Sequence, residues 1–197
     1  MNIQQRVTEI LAAEADAIMA VKVTDAFERA IRALQDCKGK VLTTGMGKAG
    51  HVARKAAATL CSTGTPAAYI HPGEAAHGDL GLVGQDDTII AFSTSGKTKE
   101  VIEMLWFSRH LGLKTIIGIT SHPDSQLREF SDVILGMGTI TEPCPLNLTP
   151  SASIAVMLAI SDALALTLME LNGVTREDWG LRHHGGYLGR KARTGNK

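Results

Sequence analysis

The sequence predicts an α/β domain in which a five-stranded parallel sheet is covered by helices on both faces, as a three-layer αβα sandwich. Short apolar, β-branched runs alternate along the chain with stretches of helical periodicity. The runs are apolar at successive positions, which is typical of parallel strands buried on both faces. The length of 197 residues, with 44% apolar and 20% charged residues, fits a single globular domain over residues 1–197.

Two helices are predicted within residues 1–37. In the first, apolar residues recur at helical spacing, at Ile3, Val7, Ile10, Leu11 and Ile18. The second is expected to follow Thr24 as its N-cap and to carry Phe27, Ile31 and Leu34 on one face. These helices precede the predicted core.

The predicted core covers about residues 38–172 and contains the alternating elements. Strands are expected at residues 40–45, 67–71, 87–93, 114–120 and 132–137. Helices are expected near residues 48–62, 97–111 and 125–130, with a long closing helix over about 150–172. Because Ser161, Asp162 and Glu170 interrupt its apolar run, we predict a buried helix rather than a membrane span. Residues 173–197 are predicted to form a C-terminal tail.

Charge and cysteine content exclude several classes of function. The formal net charge is zero, so we expect neither nucleic-acid nor membrane binding, and we interpret the basic residues after Asp178 as a solvated tail. The three cysteines form no C-x-x-C pair, which argues against a disulfide framework. The N-terminus lacks the apolar run of a signal peptide. A cytoplasmic location is therefore expected.

The segment GMGKAG, with Gly45, Gly47 and Gly50, matches the dinucleotide-binding pattern G-x-G-x-x-G between a strand and a helix. That pattern requires an acidic residue at the end of the next strand to bind the ribose hydroxyls, and this strand ends at His71 instead. A dinucleotide is therefore disfavoured. The glycines still open the backbone to a ligand at a helix start, with Gly47 as a predicted contact.

The segment STSGKTKE, residues 93–100, ends like a nucleotide-binding P-loop. A P-loop requires a glycine five residues before its Gly-Lys pair, and that position is Ala91. The hydroxyls of Ser93, Thr94, Ser95 and Thr98 instead suit one phosphate monoester at a helix N-terminus. The alternative is that Ser95 merely caps the helix, which needs one hydroxyl and not four.

Five segments within residues 40–191 carry a resemblance to a known family. They are GMGKAGH, STGTPAAYIHPGEAAHGDLG, STSGKTKEV, EPCPLNLTPSAS and GLRHHGGYLGRK. Together they resemble the sugar isomerase (SIS) domain and, within it, the D-arabinose 5-phosphate isomerases of the Kdo pathway. The resemblance implies a flavodoxin-like sheet, a homotetramer, and interconversion of D-ribulose 5-phosphate and D-arabinose 5-phosphate without a cofactor. Relatives usually add a pair of CBS domains, and this chain is expected to be the short form without them.

The resemblance implies four catalytic residues: Lys48, Glu100, Glu142 and His183. Aldose–ketose isomerisation through an enediol(ate) requires a base at carbon, charge stabilisation and proton transfer between oxygens. We assign Glu142 as the base and Lys48 as the group that stabilises the enediolate. His183 would move protons between oxygens or open the sugar ring, and because it lies beyond the core it can come from a neighbouring subunit. Glu100 would orient Lys48 or a substrate hydroxyl.

His71 and His77 are expected to contact the substrate. With Asp79 they could also form a metal site, but we expect no essential metal and consider only inhibitory zinc at His77. Two residues depart from the family pattern. Lys97 stands where relatives usually have an acid, and His184 stands where they usually have proline.

Two alternatives stay open at this point. The chain could be a non-catalytic module that binds a sugar phosphate, which would need residues 93–98 but not the acid–base residues. It could also isomerise another ketose phosphate, because the sequence does not give the length of the pocket. In both cases the product or ligand is a small sugar phosphate, and for the isomerase the product would supply lipopolysaccharide or capsule synthesis.

Overall fold

The chain folds around a five-stranded parallel sheet, which confirms the predicted class. The computed structural model describes residues 1–193, and the end of the predicted tail, residues 194–197, lies outside the described residues. The strands are Val41–Gly45 (β1), Ala67–Tyr69 (β2), Thr88–Phe92 (β3), Thr115–Thr120 (β4) and Val133–Gly136 (β5). Their order is β2-β1-β3-β4-β5 with parallel pairing, which is the flavodoxin-like order.

Helices connect the strands and close both ends of the chain. They are Ile3–Met19 (α1), Asp25–Gln35 (α2), Gly47–Ser62 (α3), Pro72–Ala75 (α4), Lys99–His110 (α5), Leu127–Phe130 (α6), Ala152–Leu171 (α7), Arg176–Arg182 (α8) and Gly186–Arg193 (α9). A 3₁₀ turn spans Asp79–Leu82. Thr24 stands at the N-cap of α2 as predicted, although its side chain makes no capping hydrogen bond.

The side chains of the central strands alternate between two cores, one on each face of the sheet. In β3, Ile90 and Phe92 pack with α2, α3 and α7. Their neighbours Ile89 and Ala91 pack on the opposite face with α5 and α6. All four are at most 2% exposed. Because successive side chains of a strand point to opposite faces, both faces require cover, and the three-layer sandwich follows.

Helix α7 is long and apolar enough to cross a membrane by length and composition, but half of its most apolar window is buried inside the fold. Val156, Met157, Leu164 and Leu168 are at most 1% exposed. The helix packs against α1, α2 and α3. This burial agrees with the core helix that the sequence predicts.

The predicted C-terminal tail contains two short helices, α8 and α9, that sequence analysis did not predict. Helix α8 begins with a capping box in which Thr175 Oγ1 accepts the Asp178 N–H at 3.1 Å and Asp178 accepts the Thr175 N–H at 2.9 Å. The two helices have 7 and 8 residues. Segments this short offer too few turns for a clear helical periodicity.

The register of the sheet brings the carboxyl ends of its strands to one edge. Gly45 at the end of β1 pairs with Phe92 at the end of β3, and Phe92 pairs with Ile119 in β4. Thr120 pairs with Gly136 at the end of β5. The loops that follow these strands therefore open side by side, at the edge where α/β sheets bind ligands.

A nearly buried carboxylate joins two turns at the opposite edge of the sheet. Asp87, 5% exposed, accepts hydrogen bonds from the N–H groups of Lys40 and Gly84, both at 2.8 Å, and pairs with Lys40 Nζ at 2.7 Å. Burial alone raises the pKa of Asp87, but the hydrogen bonds from Lys40 and Gly84 outweigh burial and hold the pKa below its usual value. The fold therefore favours the charged carboxylate.

The variant Asp87→Asn is expected to lower the free energy of unfolding at neutral pH by about 1–3 kcal/mol, because an amide oxygen cannot replace both carboxylate oxygens opposite Lys40. Since the pKa is lowered in the folded state, the stabilisation is complete above the ordinary carboxyl pKa of about 4 and disappears as pH falls through the folded value. Urea unfolding at neutral pH and at about pH 3 should therefore show a smaller difference from wild type at the lower pH.

The exposed neighbour Asp86 provides the control for this comparison. Asp86→Asn is expected to stay within about 0.5 kcal/mol of wild type at both pH values. A wild-type advantage over Asp87→Asn that grows on acidification would contradict the lowered pKa.

Candidate active site

The loop after β3, residues 93–98, gathers hydroxyl groups at the ligand-binding edge, and we call it the hydroxyl loop. Ser93 is 2% exposed, and its Oγ lies 2.8 Å from Thr98 Oγ1, which closes the loop on itself. Ser95 is exposed, and its Oγ accepts the Lys97 N–H at 3.2 Å. Gly96 turns the chain with a φ of +63°, which L side chains rarely adopt.

The hydroxyl loop does not match the alternative in which Ser95 caps the following helix. Helix α5 begins at Lys99, and Thr98 occupies its N-cap position without a side-chain capping hydrogen bond. Ser95 Oγ accepts the N–H of Lys97, which precedes the helix. The Ser95 hydroxyl therefore stays on the loop surface beside a helix N-terminus. This arrangement suits a bound anion.

The loop between β4 and α6 supports the hydroxyl loop from one side. The carbonyl oxygen of Thr94 accepts hydrogen bonds from Ser121 N–H and from Thr120 Oγ1, both at 3.0 Å. A pocket of about 360 Å³ opens between the two loops. Its lining is Ser95, Lys97, Ser121, His122, Pro123, Asp124 and Ser125. The departure from the family pattern, Lys97, thus lies in the wall of a pocket beside the hydroxyl loop.

Gly47 and Gly50, in the turn after β1, are glycines for different structural reasons. A Cβ on Gly50 would lie 2.5 Å from the carbonyl oxygen of Gly45, so the tight turn excludes a side chain there. Gly47 has a φ of +57°, and a Cβ on it would meet open space. Lys48 follows as an exposed residue in the first turn of α3. The turn therefore brings a positive side chain and an open backbone to the edge of the sheet.

The His-Pro-Gly segment after β2 packs near Glu100. His71 is the N-cap of α4, and its Nδ1 accepts the Glu74 N–H at 3.4 Å. Glu100, exposed in the first turn of α5, lines a pocket of about 180 Å³ together with Pro72 and Gly73 of that segment. His77 is exposed. Within residues 1–193, no group of three or more His, Cys, Asp or Glu side chains is placed to hold a metal ion, so inhibitory zinc at His77 stays a prediction.

The loop between β5 and α7, residues 137–151, carries Glu142, and we call it the Glu142 loop. The carboxylate of Glu142 binds the N-terminus of α7. Its Oε2 accepts the N–H groups of Ser151 and Ala152, each at 2.8 Å, and its Oε1 accepts the Ser153 N–H at 3.3 Å. A carboxylate at this position satisfies N–H groups that a helix leaves unpaired and complements its dipole. The predicted base is therefore held rigidly, with Oε1 the more weakly bound oxygen.

The chain between Glu142 and α7 forms a compact turn. Asn147 adopts a φ of +50°, and its Oδ1 accepts the Glu142 N–H at 2.8 Å. The Cys144 sulfur accepts the N–H groups of Leu148 and Thr149 at 3.2 and 3.1 Å. Hydrogen bonds from Thr149 and Leu148, the largest influences, lower the pKa of Cys144 to about 7. The turn thus places a thiol with a lowered pKa two residues after Glu142.

His183 lies at the C-terminal end of α8, where its ring stacks on Trp179 with centroids 3.6 Å apart. Its Nδ1 is 2.8 Å from the carbonyl oxygen of Trp179. A carbonyl oxygen can only accept, so Nδ1 carries the proton in the neutral ring and Nε2 carries the lone pair. The helix therefore fixes the orientation of the His183 ring.

The described contacts hold the predicted catalytic residues in separate elements. Among residues 1–193, no hydrogen bond or ion pair joins Lys48, Glu100 and Glu142 to one another. Sequence analysis missed two residues that contact the Glu142 loop: Arg6 donates to the carbonyl oxygen of Pro143, and Glu14 accepts from the Ser151 hydroxyl. No local signal marks them, because each contact joins residues 137 positions apart.

Comparisons with known proteins agree on one family. A family model described as the SIS domain matches residues 33–167. The chain is 44% identical over 180 residues to arabinose 5-phosphate isomerase KdsD of Pseudomonas aeruginosa, which covers 90% of this chain and 55% of that protein. The chain therefore spans little more than half the length of the curated relatives it matches.

Two solved structures are similar over nearly the whole chain. A candidate phosphosugar isomerase involved in capsule formation from Bacteroides fragilis gives a TM-score of 0.91 at 42% identity, covering 94% of this chain and 100% of that chain. A protein of Escherichia coli CFT073 in complex with arabinose 5-phosphate gives a TM-score of 0.89 at 39% identity, covering 93% and 100%.

The thiol of Cys144 should react with iodoacetamide along a titration curve whose midpoint lies near pH 7, because its pKa is lowered to about 7. An ordinary cysteine titrates at about 8.5. Peptide mass spectrometry separates labelling of Cys144 from that of Cys37 and Cys61, and Cys144→Ser should lack this labelled peptide. A midpoint above about 8 would contradict the role of the loop N–H groups.

Proposed function

Since the chain belongs to the SIS domain family, we propose that it is an aldose–ketose isomerase that interconverts D-ribulose 5-phosphate and D-arabinose 5-phosphate. The observation that carries the proposal is the hydroxyl loop at the carboxyl edge of the sheet, with a helix N-terminus behind it. Similarity to KdsD proteins, and to a structure in complex with arabinose 5-phosphate, favours this sugar phosphate over others.

In this proposal the hydroxyl loop holds the phosphate and the neighbouring turns face the sugar. Ser95 donates a hydrogen bond to the phosphate. The hydroxyls of Ser93 and Thr98 bond to each other at 2.8 Å, so one of this pair keeps an O–H to donate. The N-terminus of α5 adds its dipole. The remaining substrate contacts are Gly47, His71, His77 and Thr94. A single monoester needs no metal to be held this way, and the proposal includes no cofactor.

The chemistry starts at C2 of the open-chain aldose. Glu142 removes the C2 proton, the C1–C2 double bond forms, and the negative charge moves to O1, where the Lys48 ammonium stabilises it. His183 Nε2 transfers a proton from O2 to O1, and the acid form of Glu142 returns its proton to C1 to give the ketose. Glu100 orients Lys48 or a substrate hydroxyl. Protons and electrons balance without a redox partner.

The contacts of Glu142 favour one of its oxygens for proton transfer. Oε2 accepts two N–H groups at 2.8 Å, whereas Oε1 accepts one at 3.3 Å. We assign Oε1 as the proton acceptor, because the bond it must weaken is the longer one. Oε2 then keeps the carboxylate fixed on α7 during the reaction.

The proposed function also includes an oligomeric state and a metabolic role. We propose a homotetramer in which His183 can be supplied by a neighbouring subunit, because α8 and α9 follow the core helix α7 as separate short helices. The enzyme would act in the cytoplasm and supply Kdo synthesis for lipopolysaccharide or capsule. The capsule route is supported by the similarity to the Bacteroides fragilis protein.

The variant Glu142→Gln should lower kcat for D-arabinose 5-phosphate by roughly 10²–10⁴-fold, because an amide cannot accept the C2 proton. The dissociation constant, measured by calorimetry, should stay close to that of wild type, since the phosphate contacts lie on another loop. NMR of the sugar measures turnover. Thermal unfolding must accompany it, because Glu142 also caps α7.

Glu170→Gln, an exposed change at the other end of α7, is the matched control and should keep wild-type turnover. Wild-type kcat in Glu142→Gln would reject Glu142 as the base. A wild-type protein that binds D-arabinose 5-phosphate without converting it would instead favour the non-catalytic module.

A further inference from the structure

We propose that Arg6 and Glu14 on α1 are positioning residues for Glu142, so that the N-terminal helix belongs to the catalytic apparatus; this inference rests on the proposed function. We call the two side chains the α1 clamp. Helix α1 has 17 residues, and none of them is fully buried. Among its charged residues, Arg6 and Glu14 are half-buried, whereas Glu9 and Asp16 are exposed.

The α1 clamp contacts the Glu142 loop at two points. Arg6 Nη2 donates a hydrogen bond to the carbonyl oxygen of Pro143, the residue directly after Glu142. Arg6 Nη1 is in turn held by Glu9 Oε2 at 3.1 Å. Glu14 Oε1 accepts a hydrogen bond from the Ser151 hydroxyl at the start of α7. The clamp therefore contacts the Glu142 loop at Pro143, before its turn, and at Ser151, after it.

Ser151 links the clamp directly to the predicted base. Its hydroxyl donates to Glu14, while its N–H donates to Glu142 Oε2 at 2.8 Å. A shift of Ser151 would move one of the two N–H groups that fix Oε2, and a shift of Pro143 would move the backbone of Glu142 itself. Both clamp contacts thus act on the position of one carboxylate.

Apolar burial does not hold the outer part of this loop. Leu146 and Leu148 are each 74% exposed. Pro143, Pro145 and Pro150 provide no N–H groups for backbone hydrogen bonds. Because residues 145–150 are exposed, the loop depends on polar contacts for its order, and those with α1 add to the hydrogen bonds within the loop and with α7. Loss of a clamp residue should therefore loosen the loop while the core of the domain stays folded.

The test is a double-mutant cycle between the clamp and the base. Arg6→Ala and Glu14→Ala should each lower kcat for D-arabinose 5-phosphate by about 10- to 100-fold, because a small displacement of a catalytic group costs that much, with KM and the thermal midpoint near wild type. In the Glu142→Gln background, Arg6→Ala should cause no further loss, since Arg6 acts through Glu142. Arg6→Lys should recover part of the loss. The controls are Asp16→Asn on the exposed side of α1 and Arg29→Ala in α2.

A second readout does not depend on turnover. Hydrogen exchange of the Ser151–Ser153 amides should become faster in Arg6→Ala and Glu14→Ala and stay unchanged in the controls. If wild type converts no sugar phosphate, the proposed function fails, while faster exchange still supports the clamp. Unchanged exchange, or a kcat loss from Arg6→Ala that is equally large in wild type and in Glu142→Gln, would overturn the inference.

Discussion

Parallel pairing in register of β1, β3 and β4 is the constraint on which the candidate site depends. Since Gly45, Phe92 and Ile119 lie side by side across these strands, their loops leave the sheet at one edge. The loop after β1 brings an open glycine turn with Lys48, and the loop after β3 brings a set of hydroxyls. The loop after β4 lines a pocket together with Lys97. Neither core needs these residues, so the edge is available for chemistry.

Under the proposed function, one contact of the Glu142 loop serves both stability and catalysis. The carboxylate completes the N-terminus of the central core helix and is thereby fixed in place. If Glu142 is the proposed base, a carboxylate held so firmly needs little reorganisation during the reaction, which is a general advantage of preorganised sites. The cost is that any variant at this position alters the cap as well as the chemistry. Binding, turnover and unfolding must therefore be measured together for this residue.

Local sequence patterns predict the layers of this protein but only part of its site. Thr88–Phe92 is apolar at successive positions, so a strand buried on both faces is visible from five residues. The location of the hydroxyl loop follows from the position of that strand. The same strand does not show that Thr98, and not Ser95, is the N-cap of α5. Helix boundaries depend on backbone geometry that propensity does not define. The contact between Arg6 and Pro143 spans 137 positions and depends on how α1 lies on the core.

Residues in the C-terminal region show a second limit of prediction from a single sequence. The sequence analysis singled out His183, but its stacking on Trp179 and the orientation of its ring depend on the short helix α8. The sequence signal for that helix is its capping box, because seven residues are too few for a clear helical periodicity. Its residues gain their arrangement from contacts within the folded chain. A single sequence therefore indicates which histidine to examine and leaves open how it is presented.

Solvent exchange at the reacting carbons distinguishes an isomerase from a protein that only binds the sugar phosphate. Wild-type protein is incubated in D₂O with D-arabinose 5-phosphate and, in parallel, with other aldose and ketose phosphates, and the sugars are followed by NMR. The proposed isomerase converts D-arabinose 5-phosphate to D-ribulose 5-phosphate, with loss of the C2 proton and deuterium at C1 of the product. Binding of D-arabinose 5-phosphate with neither conversion nor exchange would rule out the proposed function.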